Sequence, residues 1–402
     1  MLRSPASIAS LALTLLTLAP PVAAQADPGA SDLPAWREFV RQFDRHARDH
    51  ALVGGSALLV RDGRITARHH TGLANRSSGA PVGDSTIFHW ASITKTLTAV
   101  AVLQLRDRGL LSLDDPIVRW VPELRRVHDP FGARDGITIR MLLSHSSGFQ
   151  AGTWPYGRGR AWEPFEPTEW SQLVAMMPYQ QLVFEPGTRY GYSNPAFVYL
   201  ARVIEAITGD PWTVYIQKNI FSPLGMTRSY VGITPYHLAP HRSHNYDVRR
   251  PEGASAGTVI DNGADFDPGI TNPNSGWNAP LDDVARWVAF LTGAASSAAE
   301  HARFDLVLRR GSIEEMWQPA VTVSPDSASG SRVRMGLSFF VYDFEGAPVI
   351  GHTGSQAGFR SFMYFDPRTR TGIVWSYNTA NPAAEQPAGW ARGMEVAFRA
   401  LR

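Results

Sequence analysis

The sequence predicts an α/β protein in which one antiparallel sheet is built from both chain ends, flanked by helices, with a mostly α-helical segment inserted between. Three observations lead there. A strand pair with a tight Asp62-Gly63 connection lies near the start, four strand-like runs crowd the last seventy or so residues, and helices with long Pro/Gly/Trp loops fill the middle. The boundaries read as a sheet portion at about 35–109 and 320–402 and an inserted helical portion at about 110–319, together one unit over 27–402. A hydrophobic fraction of 44% and 12 tryptophans supply ample core for a globular chain of 402 residues.

Taken in order, residues 1–26 read as an export signal. Arg3 gives the positive start, Ile8 to Leu18 is a short apolar run, Pro20-Pro21 breaks it, and Val22-Ala23-Ala24 or Ala24-Gln25-Ala26 offers small residues for cleavage. The run is too short to span a bilayer. A periplasmic or secreted, soluble product is the expectation, and zero cysteines exclude a disulfide framework, a thiolate nucleophile and a lipid-bearing cysteine. Trp36 to His50 reads as a helix, with His46 and His50 on an exposed face. Gly55 to Val60 and Arg64 to Leu73 read as the hairpin, and Ser92 to Arg108 as a helix stopped by Gly109. The stretch Leu97 to Leu105 is apolar on most faces, so this helix is expected to be buried. Pro195 to Thr208 has Asn194 as a possible cap, Pro195 in its first turn and Gly209 at its end. Strands are expected at Met335 to Phe344, Pro348 to His352, Phe359 to Phe365 and Gly372 to Tyr377, then a helix at about Ala388 to Leu401. A net charge of +2, with no long basic run and no second span of membrane length, argues against nucleic acid and membrane partners.

Among 38 basic residues only Lys95 and Lys218 are lysines, which leaves 38 − 2 = 36 arginines. Arginine keeps its proton in proteins, whereas a desolvated lysine becomes a neutral base. In Ser92-Ile93-Thr94-Lys95 one helical turn separates hydroxyl and amine, so they share a face. The positive end of the helix dipole and burial both disfavour the Lys95 cation, and a neutral amine beside Ser92 can take its proton. Tyr192-Ser193-Asn194 precedes a helix. Tyr192 there serves either as a proton shuttle or as an ordinary core aromatic, and Asn194 as a cap, a donor to a substrate carbonyl, or both. His352-Thr353-Gly354 ends an apolar strand, where Gly354 allows close backbone approach and the Ser355 amide offers an oxyanion donor.

Other motifs compete. Gly253-Ala254-Ser255-Ala256-Gly257 matches the nucleophile elbow, but Arg249-Arg250-Pro251-Glu252 before it and Thr258-Val259-Ile260 after it supply neither a buried strand nor a helix. His237, His241 and His244 have ligand-like spacing, yet Pro235 and Pro240 break any shared helix, and no metal or other cofactor is expected. Trp154, Tyr156, Trp162, Phe165 and Trp170 either wall an acyl pocket or pack a long loop, and His145 reads as structural.

Together the Ser-x-x-Lys, Tyr-Ser-Asn and His-Thr-Gly pieces resemble the penicillin-recognising serine hydrolases: class C β-lactamases, serine DD-peptidases, D-aminopeptidases and β-lactamase-like esterases. Phe88 to Lys95, Ile137 to Gly148, Phe221 to Met226 and Gly351 to Gly354 look family-typical and run in the family's order, with the likeness extending from Trp36 to the C-terminus. The resemblance implies Ser92 as acylated nucleophile, Lys95 as its base and Tyr192 as general acid/base. It implies Asn194 orienting the acyl side chain, amides of Ser92 and Ser355 as the oxyanion hole, and a site between a sheet domain and a helical domain. One departure stands out, since β-lactamases of this group carry Lys where this chain has His352, a residue mostly neutral near pH 7. The expected activity is hydrolysis of a small amide or ester: a D-amino-acid peptide first, an ester second, a β-lactam third, with a non-turnover penicillin-binding sensor as the rival of another class. The expected partner is a small molecule or short peptide, and the expected state a monomer or weak oligomer.

Overall fold

A computed structural model describes residues 34–153, 167–249, 257–324, 332–385 and 387–402. The proposed signal and the aromatics Trp154, Tyr156, Trp162 and Phe165 therefore lie outside the described residues. Nine strands form one antiparallel sheet in the order Ala80–Pro81, Arg64–Asn75, Gly54–Arg61, Thr371–Tyr377, Phe359–Asp366, Ala347–Gln356, Phe340–Phe344, Val333–Met335, Val321–Ser324. At its centre the first strand of the chain pairs with the last long one, Gly55 opposite Tyr377 through Arg61 opposite Thr371.

Side chains alternate across this sheet because a strand has a period of two. Leu58, Val60, Met363, Phe365 and Val374 enter the larger core on one face. Their neighbours Leu59, Phe362, Tyr364, Ile373 and Trp375 enter a second core on the other, under helices Pro34–Asp49 and Pro387–Ala400. His46 and His50 are half-buried rather than exposed, with rings 4.5 Å apart and His46 set against Tyr377. Burial and the neighbouring His50 push His46 down to about 4.

Helix Leu281–Thr292 lies on the sheet against Gly54–Arg61 and Thr371–Tyr377, although it falls in the stretch read as inserted. The expected strand from Met335 to Phe344 is broken into two. A Cβ on Gly336 would stand 2.3 Å from the Met316 carbonyl oxygen, and Ser338 adopts φ +67°, so the chain turns here instead of running straight. Conversely, Ala347–Gln356 runs on through Thr353, Gly354 and Ser355, which form part of the strand.

Helix Thr94–Asp107 is buried from Thr94 to Leu105, against Pro195–Thr208 and the short helix Asn272–Ser275. An all-round apolar surface demands such enclosure, and truncating a buried leucine such as Leu97 or Leu103 to alanine is of the class that costs about 2–5 kcal/mol. Ser92 itself sits one turn earlier, in the 3₁₀ turn Ala91–Ile93.

Candidate active site

The Ser92 turn is held in a conformation that its own residues disfavour. Ala91 has φ +45°, a left-handed value that costs a non-glycine residue on the order of 1 kcal/mol or more. Three contacts impose it. The Trp90 amide donates to the Trp277 carbonyl at 2.8 Å, and Thr94 Oγ1 donates to the Ala91 carbonyl at 2.6 Å. The third is the Ala347–Gln356 strand, whose Gly354 abuts the Trp90 carbonyl so closely that a Cβ there would stand 2.2 Å from the oxygen and 3.1 Å from the Ala91 Cβ. No side chain fits at 354, which brings the main chain of Gly354 and Ser355 to the Ser92 turn.

Gly354→Ala should therefore force the strand away from Ser92. With the Ser355 amide in the oxyanion-donor role that the resemblance implies, the expected result is a loss of about 100-fold in kcat with little change in KM. Steady-state kinetics beside a thermal melt would check it, and wild-type kcat would refute the close-packing argument.

Lys95 is fully buried, with Nζ 3.1 Å from Ser92 Oγ and donating to the Asn274 main-chain carbonyl at 2.9 Å. Its Nζ lies 4.9 Å from the Tyr192 ring centre and 5.6 Å from that of Phe197. Burial drives its pKa well below the usual lysine value. Lys218, by contrast, is exposed and paired with Asp210 at 2.8 Å. Tyr192 is hydrogen-bonded to the Ser92 side chain, and burial raises its pKa, so the phenol is neutral. Ser92, Lys95 and Tyr192 thus meet in one cluster.

Asn194 makes no capping bond; Ser193 Oγ accepts the Ala196 amide at 3.4 Å, and Asn194 Oδ1 is buried without a partner among the described residues. The amide is left free for a ligand, which corrects the capping alternative. His352 is buried, its Nδ1 2.6 Å from the Thr353 carbonyl, so Nδ1–H donates and Nε2 is an unpaired acceptor. Burial first, and Lys95 second, push it down to about 3. The ring is therefore neutral and packs 5.2 Å from Phe340 and 6.4 Å from Tyr192, centre to centre. Thr353 is half-buried and Ser355 exposed on the same strand.

Two contributors escaped the sequence. Asn274 acts through a main-chain carbonyl, which no motif reveals. His145 stacks on Tyr192 at 4.3 Å and 28°, and only the neighbouring Ser-His-Ser-Ser-Gly block hinted at it. The rival motifs fall elsewhere. The motif around Ser255 is flanked by strands Tyr246–Arg249 and Thr258–Asp261, which pair antiparallel with each other, so no helix follows it; residue 255 itself lies outside the described residues. His244 is engaged by Asn75 at 3.0 Å and Asp261 at 3.0 Å. Trp170 packs on Tyr199 and beneath Arg202.

A model of the Beta-lactamase family matches residues 36–398. The chain is 34% identical over 292 residues to Esterase EstB of Burkholderia gladioli, covering 66% of this chain and 72% of that protein. A D-stereospecific amidohydrolase from Streptomyces sp. superposes with a TM-score of 0.69 at 25% identity, over 90% of this chain and 98% of that one. A class C beta-lactamase superposes with a TM-score of 0.72 at 18% identity, over 94% and 99% respectively, a likeness of fold alone. No helix among the described residues is long and apolar enough to cross a membrane.

Proposed function

This chain belongs to the β-lactamase family and is a serine hydrolase of the β-lactamase/DD-peptidase type, and from that premise we propose that it hydrolyses small uncharged esters through an acyl-enzyme on Ser92. One observation carries the choice of substrate: both bases bordering Ser92, Lys95 and the His352 that stands where β-lactamases carry lysine, are fully buried, and burial works against positive charge on each. A substrate carboxylate would find no fixed counter-charge from either, and removing its hydration without a partner is costly. The 34% identity to an esterase points the same way.

In this reading the Ser92 hydroxyl passes its proton to the Lys95 lone pair as Oγ attacks the ester carbonyl, and the N–H groups of Ser92 and Ser355 donate to the developing oxyanion. Asn194 holds the acyl side. Tyr192, neutral and bonded to Ser92, hands a proton to the leaving alkoxide and recovers it from Lys95. Water then adds to the acyl carbonyl, gives up its proton to the Lys95–Tyr192 pair, and the acid leaves as Ser92 Oγ is reprotonated. A second reading, hydrolysis of D-amino-acid amides, draws on the likeness to the Streptomyces amidohydrolase; it needs the same acid at a poorer leaving group.

A substrate panel tests the proposal: p-nitrophenyl acetate and butyrate, D-amino-acid amides, and D-alanyl-D-alanine peptides with a free carboxylate. The esters should exceed the carboxylate-bearing peptides in kcat/KM by about 100-fold or more, the discrimination expected when a charge is left unpaired. Faster turnover of the peptides, or of a penicillin, would overturn the ester reading. A stable penicillin adduct by intact mass, without ester turnover, would instead identify a sensor.

A further inference from the structure

We infer that His145 is a positioning residue for Tyr192, its carbonyl and ring Nδ1 accepting the main-chain N–H groups on either side of Tyr192 and so fixing where the phenol stands relative to Ser92. The inference rests on the reading of Tyr192 as the acid/base of this site and extends it to a residue outside the Ser-x-x-Lys, Tyr-Ser-Asn and His-Thr-Gly pieces.

Tyr192 sits in a segment without regular structure, immediately before helix Pro195–Thr208, where neither sheet nor helix bonds dictate its main-chain path. Residue 145 takes up both flanking amides. Its carbonyl accepts the Gly191 N–H at 2.8 Å, and its ring Nδ1 accepts the Ser193 N–H at 3.1 Å. The ring then lies face to face with the phenol, enclosed by Tyr190 and Phe197 with centres at 6.0 and 5.2 Å. Tyr192 is thus gripped before, behind and across its face by one residue.

The conformation at His145 is itself constrained. It is fully buried and has φ +56°, a left-handed value that a histidine does not adopt without reason. Accepting an N–H at Nδ1 places the ring proton on Nε2, which is buried with no partner. A protonated ring would carry N–H at both nitrogens and would turn a donor toward the Ser193 amide. Burial, then Lys95, then His352 hold its pKa well below the ordinary histidine value, in keeping with the neutral tautomer that the geometry requires. A residue serving the core alone would need neither the acceptor nor this tautomer; leucine would fill the space.

The test separates the acceptor from the ring. His145→Phe keeps an aromatic face but leaves the Ser193 N–H unpaired, whereas His145→Asn places Oδ1 near the position of Nδ1 and tolerates the left-handed backbone. His145→Phe should lose about 100-fold in kcat with KM nearly unchanged, the size expected for a catalytic group displaced by about an ångström. His145→Asn should stay within about fivefold of wild type. In a Tyr192→Phe background the same His145→Phe change should cost no more than about threefold, because the group it positions is gone.

Losses that multiply in the double variant would overturn the inference and leave the Tyr192 reading intact. Full activity of Tyr192→Phe alone would sink both. Should His145→Phe fail to give a cooperative melt, His145→Asn decides by itself. A folded His145→Asn protein within about fivefold supports the acceptor role, and a folded one reduced by about 100-fold refutes it.

Discussion

Ser92→Ala is expected to lower ester turnover by about 10⁴- to 10⁶-fold, the range seen when a covalent nucleophile is removed, while the melting temperature stays within a few degrees of wild type. Among the described residues the Ser92 hydroxyl meets Lys95 and Tyr192, and the side chain is half-buried. Its loss opens no large cavity, and residues at strained sites often stabilise when simplified. Wild-type protein treated with a p-nitrophenyl phosphonate should gain the mass of the phosphonyl group by intact-mass spectrometry, and the variant should gain nothing. Retention of more than about one-hundredth of the activity by the variant would mean that the covalent path does not run through Ser92.

Lys95→Arg should be nearly as damaging to turnover and far more damaging to stability. Guanidinium keeps its charge, so the base disappears, and a fixed cation enters a site of zero exposure whose partners are a hydroxyl, one carbonyl and two aromatic faces. An uncompensated buried charge costs about 3–5 kcal/mol, so a lowered melting temperature should accompany a loss of at least about 10³-fold in kcat. Lys95→Met removes the base without the charge, and should lose turnover with a much smaller change in the melt. Equal melts for the two variants would contradict the buried, uncharged amine. The same assignment sets a pH profile. Because the folded pKa of Lys95 is depressed, the native state holds fewer protons than the unfolded chain between the depressed value and the usual one. Stability and kcat/KM should therefore both fall as pH drops toward the depressed value.

Much of this was legible before any coordinates, for reasons that differ residue by residue. Ser92 and Lys95 were readable because helical periodicity alone brings positions three apart together, and burial of Lys95 followed from the apolar run around it. Gly354 was readable as a point of close approach, since the absence of a side chain is itself the signal. The sheet built from both ends is legible in the tight Asp62-Gly63 connection near the start and in the strand-like runs that crowd the last seventy or so residues. Asn194 misled in part, because a residue suited to capping need not cap: Ser193 supplies that bond and the Asn194 amide is left over. The break at Gly336 depends on a carbonyl 20 residues earlier in sequence, and Asn274 contributes only its backbone. Such tertiary and main-chain contributions leave no trace in residue type.

The place of the Ala347–Gln356 strand in the site has a kinetic consequence. His89, three residues before Ser92, meets Gln356 at 2.9 Å across 267 residues of chain, and Gly354 seats the Ser92 turn on the same strand. Bringing such distant segments together is entropically slow, although the equilibrium penalty grows only with the logarithm of the loop. During synthesis the turn bearing Ser92 and the helix bearing Lys95 emerge long before their counterpart, and of the three contacts that hold Ala91 at φ +45° the one from that strand is the last to form. Acylation by an active-site phosphonate during refolding should accordingly lag behind the recovery of helical circular dichroism, so that reactivity of the serine reports the last long-range closure of the molecule and not its collapse.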